Sequence, residues 1–140
     1  MKKYILVAGV NGAGKSTLYQ SFNQETTLCG KSILSNIAKA KKRGYFIELH
    51  YIGVENADIA KERVARRIKQ GGHGIAEQDI ERRFAETFDN LKKVLLESNL
   101  TVFYDNTIEF RRFAIYKNGN PVRVSHNVPK WYEKFVADME

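Results

Sequence analysis

Cysteine is nearly missing from this chain. Cys29 stands alone among 140 residues, so no internal disulfide can form, and no metal-ligand spacing surrounds it. A reducing compartment is expected, and with it a cytoplasmic location. Proline is also scarce, at two residues, which argues against a disordered or linker-rich chain. No apolar run approaches the ~18 residues of a membrane span. Lys2 and Lys3 before residues 4–10 imitate a signal-peptide start, but Asn11 and the glycines cut the run short and no small-residue cleavage site follows, so neither leader nor membrane contact is expected. Acidic residues are in deficit: 16 against 23 basic ones leave a formal charge of +7, which favours anionic partners. A bound nucleotide would account for part of that excess, so nucleic-acid binding is not the expected use. Lys39, Lys41, Lys42 and Arg43 read as a solvated helix end that suits the helix dipole.

What is present is a soluble globular composition, 43% hydrophobic and 28% charged, in a length that suits one domain over residues 1–140. The chain is organised around Gly9-Val10-Asn11-Gly12-Ala13-Gly14-Lys15-Ser16, a G-x-x-x-x-G-K-S phosphate-binding loop directly after an apolar run at residues 4–8 and before a helix starting near Gly14. A loop that wraps its own N–H groups around a triphosphate needs backbone free of Cβ obstruction, hence Gly9, Gly12 and Gly14. Together with Asn11, Ala13 and Thr17, these form the expected nucleotide-binding set. Lys15 is expected to neutralise the β- and γ-phosphates. The Ser16 hydroxyl is the expected ligand to Mg²⁺, a hard cation that shares its coordination with phosphate.

Along the chain, residues 4–8 read as a buried strand, 21–27 as a second strand, 30–43 as a helix closed by Gly44, and 45–54 as a clear strand. Asn56 caps a helix to about Gln70, stopped by Gly71-Gly72. Residues 76–98 form a long amphipathic helix with Ile80, Phe84, Phe88, Leu91 and Leu95 at spacings of three and four. Residues 100–104 make a further strand ending in Asp105-Asn106. Residues 113–125 form a hairpin about Asn118-Gly119, and Pro129 opens a final helix. Strands alternating with helices imply an α/β fold of phosphate-loop type, a parallel sheet with helices on both faces plus a C-terminal hairpin and helix. One connection is too short. A helix over residues 14–20 rises only ~10 Å, whereas returning along a six-residue strand needs ~20 Å. Either residues 21–27 are not a strand parallel to the first, or the helix overruns into them, or another subunit supplies the missing piece.

The phosphate loop, Gln24-Glu25-Thr26-Thr27, Arg63-Val64 with Arg67, Gly71-Gly72-His73-Gly74-Ile75, Arg82-Arg83-Phe84 and Tyr104-Asp105-Asn106-Thr107 occur in that order. In this ordered set the chain resembles the zeta-toxin-like P-loop kinases over nearly its whole length. Zeta toxins phosphorylate UDP-N-acetylglucosamine, so the resemblance implies an ATP- and Mg²⁺-dependent kinase acting on a small-molecule hydroxyl, with an antitoxin-like protein as a conceivable partner. It assigns Lys15 and Ser16 to phosphate and Mg²⁺, and Glu25 and Thr27 to substrate. Glu25 reads either as that substrate contact or as a solvent-facing strand end. Arg63 and Arg67, one turn apart, share a helix face and read as charge stabilisers over the γ-phosphate, with a solvated face as the alternative. His73 is either a lid residue contacting substrate or a turn residue. The role of Arg83 rests on the resemblance alone. Asp105 follows an apolar run as Mg²⁺-holding acids do, but its strand comes last in order, so a structural or nucleotide-edge role is expected for it and for Asn106.

The departure from the family lies between Gln20 and Ser21. The segment that carries the family's presumed base, an Asn-Ala-Asp-type motif, is absent here, and no acidic residue precedes Glu25. The expected catalytic set is therefore Lys15, Arg63, Arg67 and Glu25, with Glu25 orienting the acceptor or serving as an improvised base. The alternative is a non-catalytic module that binds a nucleotide or a protein partner, as a monomer or a swapped homodimer.

Overall fold

The structure is a computed structural model that describes residues 2–15, 24–72 and 74–137. Among the described residues ten elements follow one another: β1 (Lys3–Ala8), β2 (Gln24–Thr26), α1 (Ser32–Lys42), β3 (Phe46–Gly53), α2 (Ala57–Lys69), α3 (Glu77–Glu97), β4 (Leu100–Asp105), β5 (Arg111–Lys117), β6 (Asn120–Val124) and α4 (Lys130–Phe135). The strands form one sheet in the order β2-β1-β3-β4-β5-β6. Its first four members are parallel and the last two antiparallel. The C-terminal hairpin is thus not an appendage to the parallel sheet; it extends the sheet's edge beyond β4.

Local chemistry explains most of the boundaries. The Asn56 side chain accepts the Ile59 N–H at 3.0 Å, which starts α2. Asn118 and Gly119 both take positive φ, 51° and 80°, as a two-residue hairpin turn requires. Alternation along the strands then sends side chains to two layers. On one face Leu6, Leu49, Tyr51, Phe103 and Tyr116 meet Ile33 and Ile37 of α1, Phe88 and Leu91 of α3, and Trp131 of α4. On the other, Val7, Ile52, Val102 and Tyr104 lie under Ala60 and Val64 of α2 and Ile80 of α3. Gly53 has no side chain because the Trp131 ring occupies the place a Cβ would take.

β2 is a three-residue edge strand parallel to β1, and it pairs only with the end of β1: Leu6 opposite Gln24, Val7 opposite Glu25, Ala8 opposite Thr26. The chain therefore need retrace only about three strand residues, ~10 Å, and not the full length of β1. The helix expected from Gly14 and the first part of the strand expected over 21–27 lie outside the described residues.

Candidate functional site

β1 delivers the chain to the phosphate loop at the carboxyl end of the sheet, beside the ends of β2 and β3. Two glycines make that loop possible. Gly9 has φ +156°, and a Cβ there would stand 2.5 Å from the Ile52 carbonyl oxygen on β3. Gly12 has φ +82°, and a Cβ would stand 2.7 Å from the Ala60 carbonyl oxygen on α2. The loop therefore lies against backbone on both sides, at distances no side chain tolerates. Its ends are fixed by Gly9 N–H donating to the Thr26 carbonyl (3.1 Å) and Ala13 N–H donating to the Val10 carbonyl (3.0 Å).

Beside the loop is a cleft of about 390 Å³ lined by Asn11, Gly12, Gly14, Lys15, Glu25, Arg63, Arg66, Arg67 and Gln70. Four of these are cations and one is a carboxylate, so the cleft is built for negative charge. Lys15 is nearly buried, at 9% exposure, and its ammonium lies 3.6 Å from Glu25 Oε1, which is half exposed. Burial pushes the Lys15 ammonium below its ordinary value; Glu25 opposes that shift, while Arg83 and Arg67 reinforce it. Three cationic groups are thus held close enough to feel one another, an arrangement that an anion would relieve.

The sequence-predicted residues divide. Gly9, Asn11, Gly12, Ala13, Gly14 and Lys15 form the loop, and Glu25 faces Lys15 from β2, so its carboxylate is not a free strand end. Arg67 lines the cleft, with its stem against Gly72. Arg63 also lines it, yet its guanidinium donates to the carbonyls of Asn106 (2.6 Å), Thr107 (3.0 Å) and Gly12 (3.3 Å). Thr27 is tied to α3 through its backbone carbonyl, which accepts from Thr87 Oγ1 at 2.9 Å. Ser16 and Thr17, and with them the expected Mg²⁺ ligand, lie outside the described residues, as does His73. Asp105 is buried, and its Oδ1 accepts from Trp131 Nε1 (3.0 Å) and Thr107 Oγ1 (2.7 Å); of the structural and nucleotide-edge roles expected for it, these bonds are of the structural kind.

Arg83 is the residue that sequence reasoning left without a place. Its Nη1 donates to Asn11 Oδ1 at 2.9 Å, which puts its charge beside the loop from α3. A signal existed: Arg83 sits three residues after Ile80 and four before Thr87, both buried, so it is a cation on the buried side of an amphipathic helix. Such a charge needs a reason to be there.

The fold and the cleft together define an α/β protein whose glycine-rich loop borders a cation-lined cleft. No family model matches the chain. An uncharacterized protein of Haemophilus influenzae (strain Rd) is 40% identical over 63 residues, 45% of this chain and 45% of that protein. In structure, the chain is similar to a chain of the AvrRxo1-ORF1:-ORF2 crystal structure with ATP, with TM-score 0.67 and 11% identity over 99% of this chain and 65% of that one. It is likewise similar to the native complex (TM-score 0.64, 12% identity, 96% and 63%) and to the form with sulphate ions (TM-score 0.66, 10% identity, 99% and 65%). The match spans less than half of the curated relative and just under two thirds of the AvrRxo1 chains. At these identities the structural likeness fixes the fold. No helix among the described residues is long and apolar enough to cross a membrane.

Proposed function

We propose that the chain binds ATP together with Mg²⁺ at the phosphate loop and transfers the γ-phosphate to a hydroxyl of a small molecule, in the manner of a zeta-toxin-like kinase. The observation that carries this is the convergence of Lys15, Arg67 and Arg83 on a loop whose glycines fold it against β3 and α2. Support comes from the AvrRxo1 structures, one with ATP and one with sulphate ions, which share the fold along nearly all of this chain. The donor set fits a polyphosphate: loop N–H groups, one buried ammonium and guanidinium groups at the rim. Mg²⁺ would supply charge neutralisation across the phosphates, with the Ser16 hydroxyl as the protein's ligand.

In this reading Lys15 exchanges Glu25 for phosphate, which releases the carboxylate toward the acceptor. Glu25 then orients the acceptor hydroxyl and takes its proton as the new oxygen–phosphorus bond forms and the bond to the β–γ bridging oxygen breaks. A positioned base of this kind contributes ~10² to 10⁴ in rate. Arg67 carries the charge that develops on the moving group, and Thr27 and His73 are the proposed substrate-binding residues. A coupled assay for ADP release over a panel of sugar nucleotides tests the reading, wild type against Lys15→Ala. Release in the wild type that the substitution abolishes is the expected result; equal background in both ends it.

A second reading, binding of a protein partner, is favoured by the AvrRxo1 structures being two-protein complexes. A swapped homodimer is the other form such a module could take. Sedimentation of the purified protein, alone and with proteins encoded beside it, separates the two.

A further inference from the structure

We infer that Arg63 and Asn106 form a clamp behind the phosphate loop, so that Arg63 governs nucleotide binding by setting the loop's shape and not by touching the γ-phosphate. The inference rests on the reading of the cleft as a nucleotide site and assigns the two residues a positioning role within it.

Arg63 leaves the middle of α2 and spends its guanidinium on three carbonyls from two segments: Gly12 in the loop, and Asn106 and Thr107 after β4. Asn106 completes the link from the other side, its Nδ2 donating to the Ala13 carbonyl at 3.0 Å. Two consecutive loop carbonyls are therefore pinned from behind. In a trans peptide the C=O and the following N–H point in opposite directions. Holding the Ala13 carbonyl toward Asn106 sends the Gly14 N–H away from it, and Gly14 lines the cleft.

The clamp is anchored in the core. Asn106 N–H donates to the Gly53 carbonyl at 2.9 Å, at the end of β3. Thr107 Oγ1 accepts the Glu55 N–H at 3.1 Å and donates to Asp105, which also receives the indole N–H of buried Trp131. The jaw is thus fixed by β3, β4 and α4 before any ligand arrives. Three of the five guanidinium N–H groups are spent on these carbonyls, and swinging the fork over to a phosphate would forfeit those bonds and the loop shape they hold.

The two roles differ in what they predict for ADP. The loop cradles the β-phosphate, which ATP and ADP share, so loosening the clamp weakens both by the same factor. An arginine on the γ-phosphate would weaken ATP alone. Calorimetric titration of the full chain with MgATP and with MgADP should show Arg63→Gln and Asn106→Ala losing about tenfold or more for both nucleotides, the scale of one lost hydrogen bond to a charged group. Lys15→Ala marks loss of the site itself. If Arg63→Gln does not fold, Arg63→Lys carries the same comparison, because an ammonium keeps the charge but lacks the planar fork. A purely architectural contribution would lower the melting temperature and leave the folded fraction's affinities intact. Hydrogen exchange of the amides at residues 9–14 supplies a readout without nucleotide: Asn106→Ala should accelerate it while the core strands keep their protection. Loss of ATP but not ADP affinity in the Arg63 variant overturns the inference, as does Asn106→Ala with unchanged exchange at the loop. Were the wild type to bind neither nucleotide, the nucleotide reading alone would fall, and the exchange experiment would still decide the clamp.

Discussion

Lys15→Met should separate binding from stability, and the structure says by how much. The ammonium is nearly buried, and its carboxylate partner is half exposed at 3.6 Å, too long for a hydrogen bond. A pair of that kind contributes no more than about 1 kcal/mol, because water screens the exposed member. Desolvation is the largest influence on Lys15 and lowers its pKa, which means the folded state holds the charged form at a cost. Methionine fills a similar volume without a charge, and the Glu25 left behind is exposed enough to be solvated. The fold should therefore keep its stability or gain about 1 kcal/mol. Nucleotide affinity should fall at least ~100-fold, since an ammonium bridging two phosphates contributes about 3 kcal/mol. The sign with pH follows from linkage: a lysine whose folded pKa is lowered binds fewer protons than the unfolded chain between the two values, so wild-type stability recovers as pH rises through that window. Any advantage of Lys15→Met is full below the lowered folded value and shrinks toward the ordinary lysine value. Urea melts from pH 7 upward and calorimetry with MgATP check both halves. A variant destabilised by more than about 2 kcal/mol, or one that binds ATP as before, would refute the account.

Two further substitutions test how the site is supported. Asn56→Ala removes the cap of α2, the helix that carries Arg63 and Arg67, and should cost about 1 kcal/mol, read as a lower urea midpoint at unchanged slope. Gly53→Ala drives a methyl into the Trp131 ring, and should cost about 1–3 kcal/mol with a visible change in tryptophan fluorescence.

Much of this was legible along the chain because it is encoded locally. The loop motif, the Asn56 cap, the Asn118-Gly119 turn and the 3.6-residue stripe of α3 each fix their element from within a dozen residues. What escaped the sequence depends on pairing across long separations. The expected span of 21–27 contains β2, but nothing local says that it pairs only with the last three residues of β1, a register that shortens the distance the chain must retrace. Arg63 was legible as a cation on the correct helix face, while its three carbonyl partners, some 43 to 51 positions away, were not. Arg83 shows the same limit: its helix was predicted, but its meeting with Asn11 is made by the packing of α3 against the loop.

Asp105 turns that limit into a statement about chemistry. An acid after an apolar strand is where a metal-holding carboxylate is usually sought, yet here Oδ1 is taken by Trp131 and Thr107 inside the core. Among the described residues, Glu25 is then the one carboxylate lining the cleft, and it is held there by charge alone. A phosphate oxygen arriving at hydrogen-bond distance from Lys15 would outcompete a carboxylate at 3.6 Å, since charge-assisted hydrogen bonds are the stronger contacts. Loading the loop and freeing the cleft's carboxylate would therefore be one event. The short edge strand has a second consequence: by pairing Glu25 with Val7, β2 sets the carboxylate opposite the end of β1, from which the loop carrying Lys15 departs.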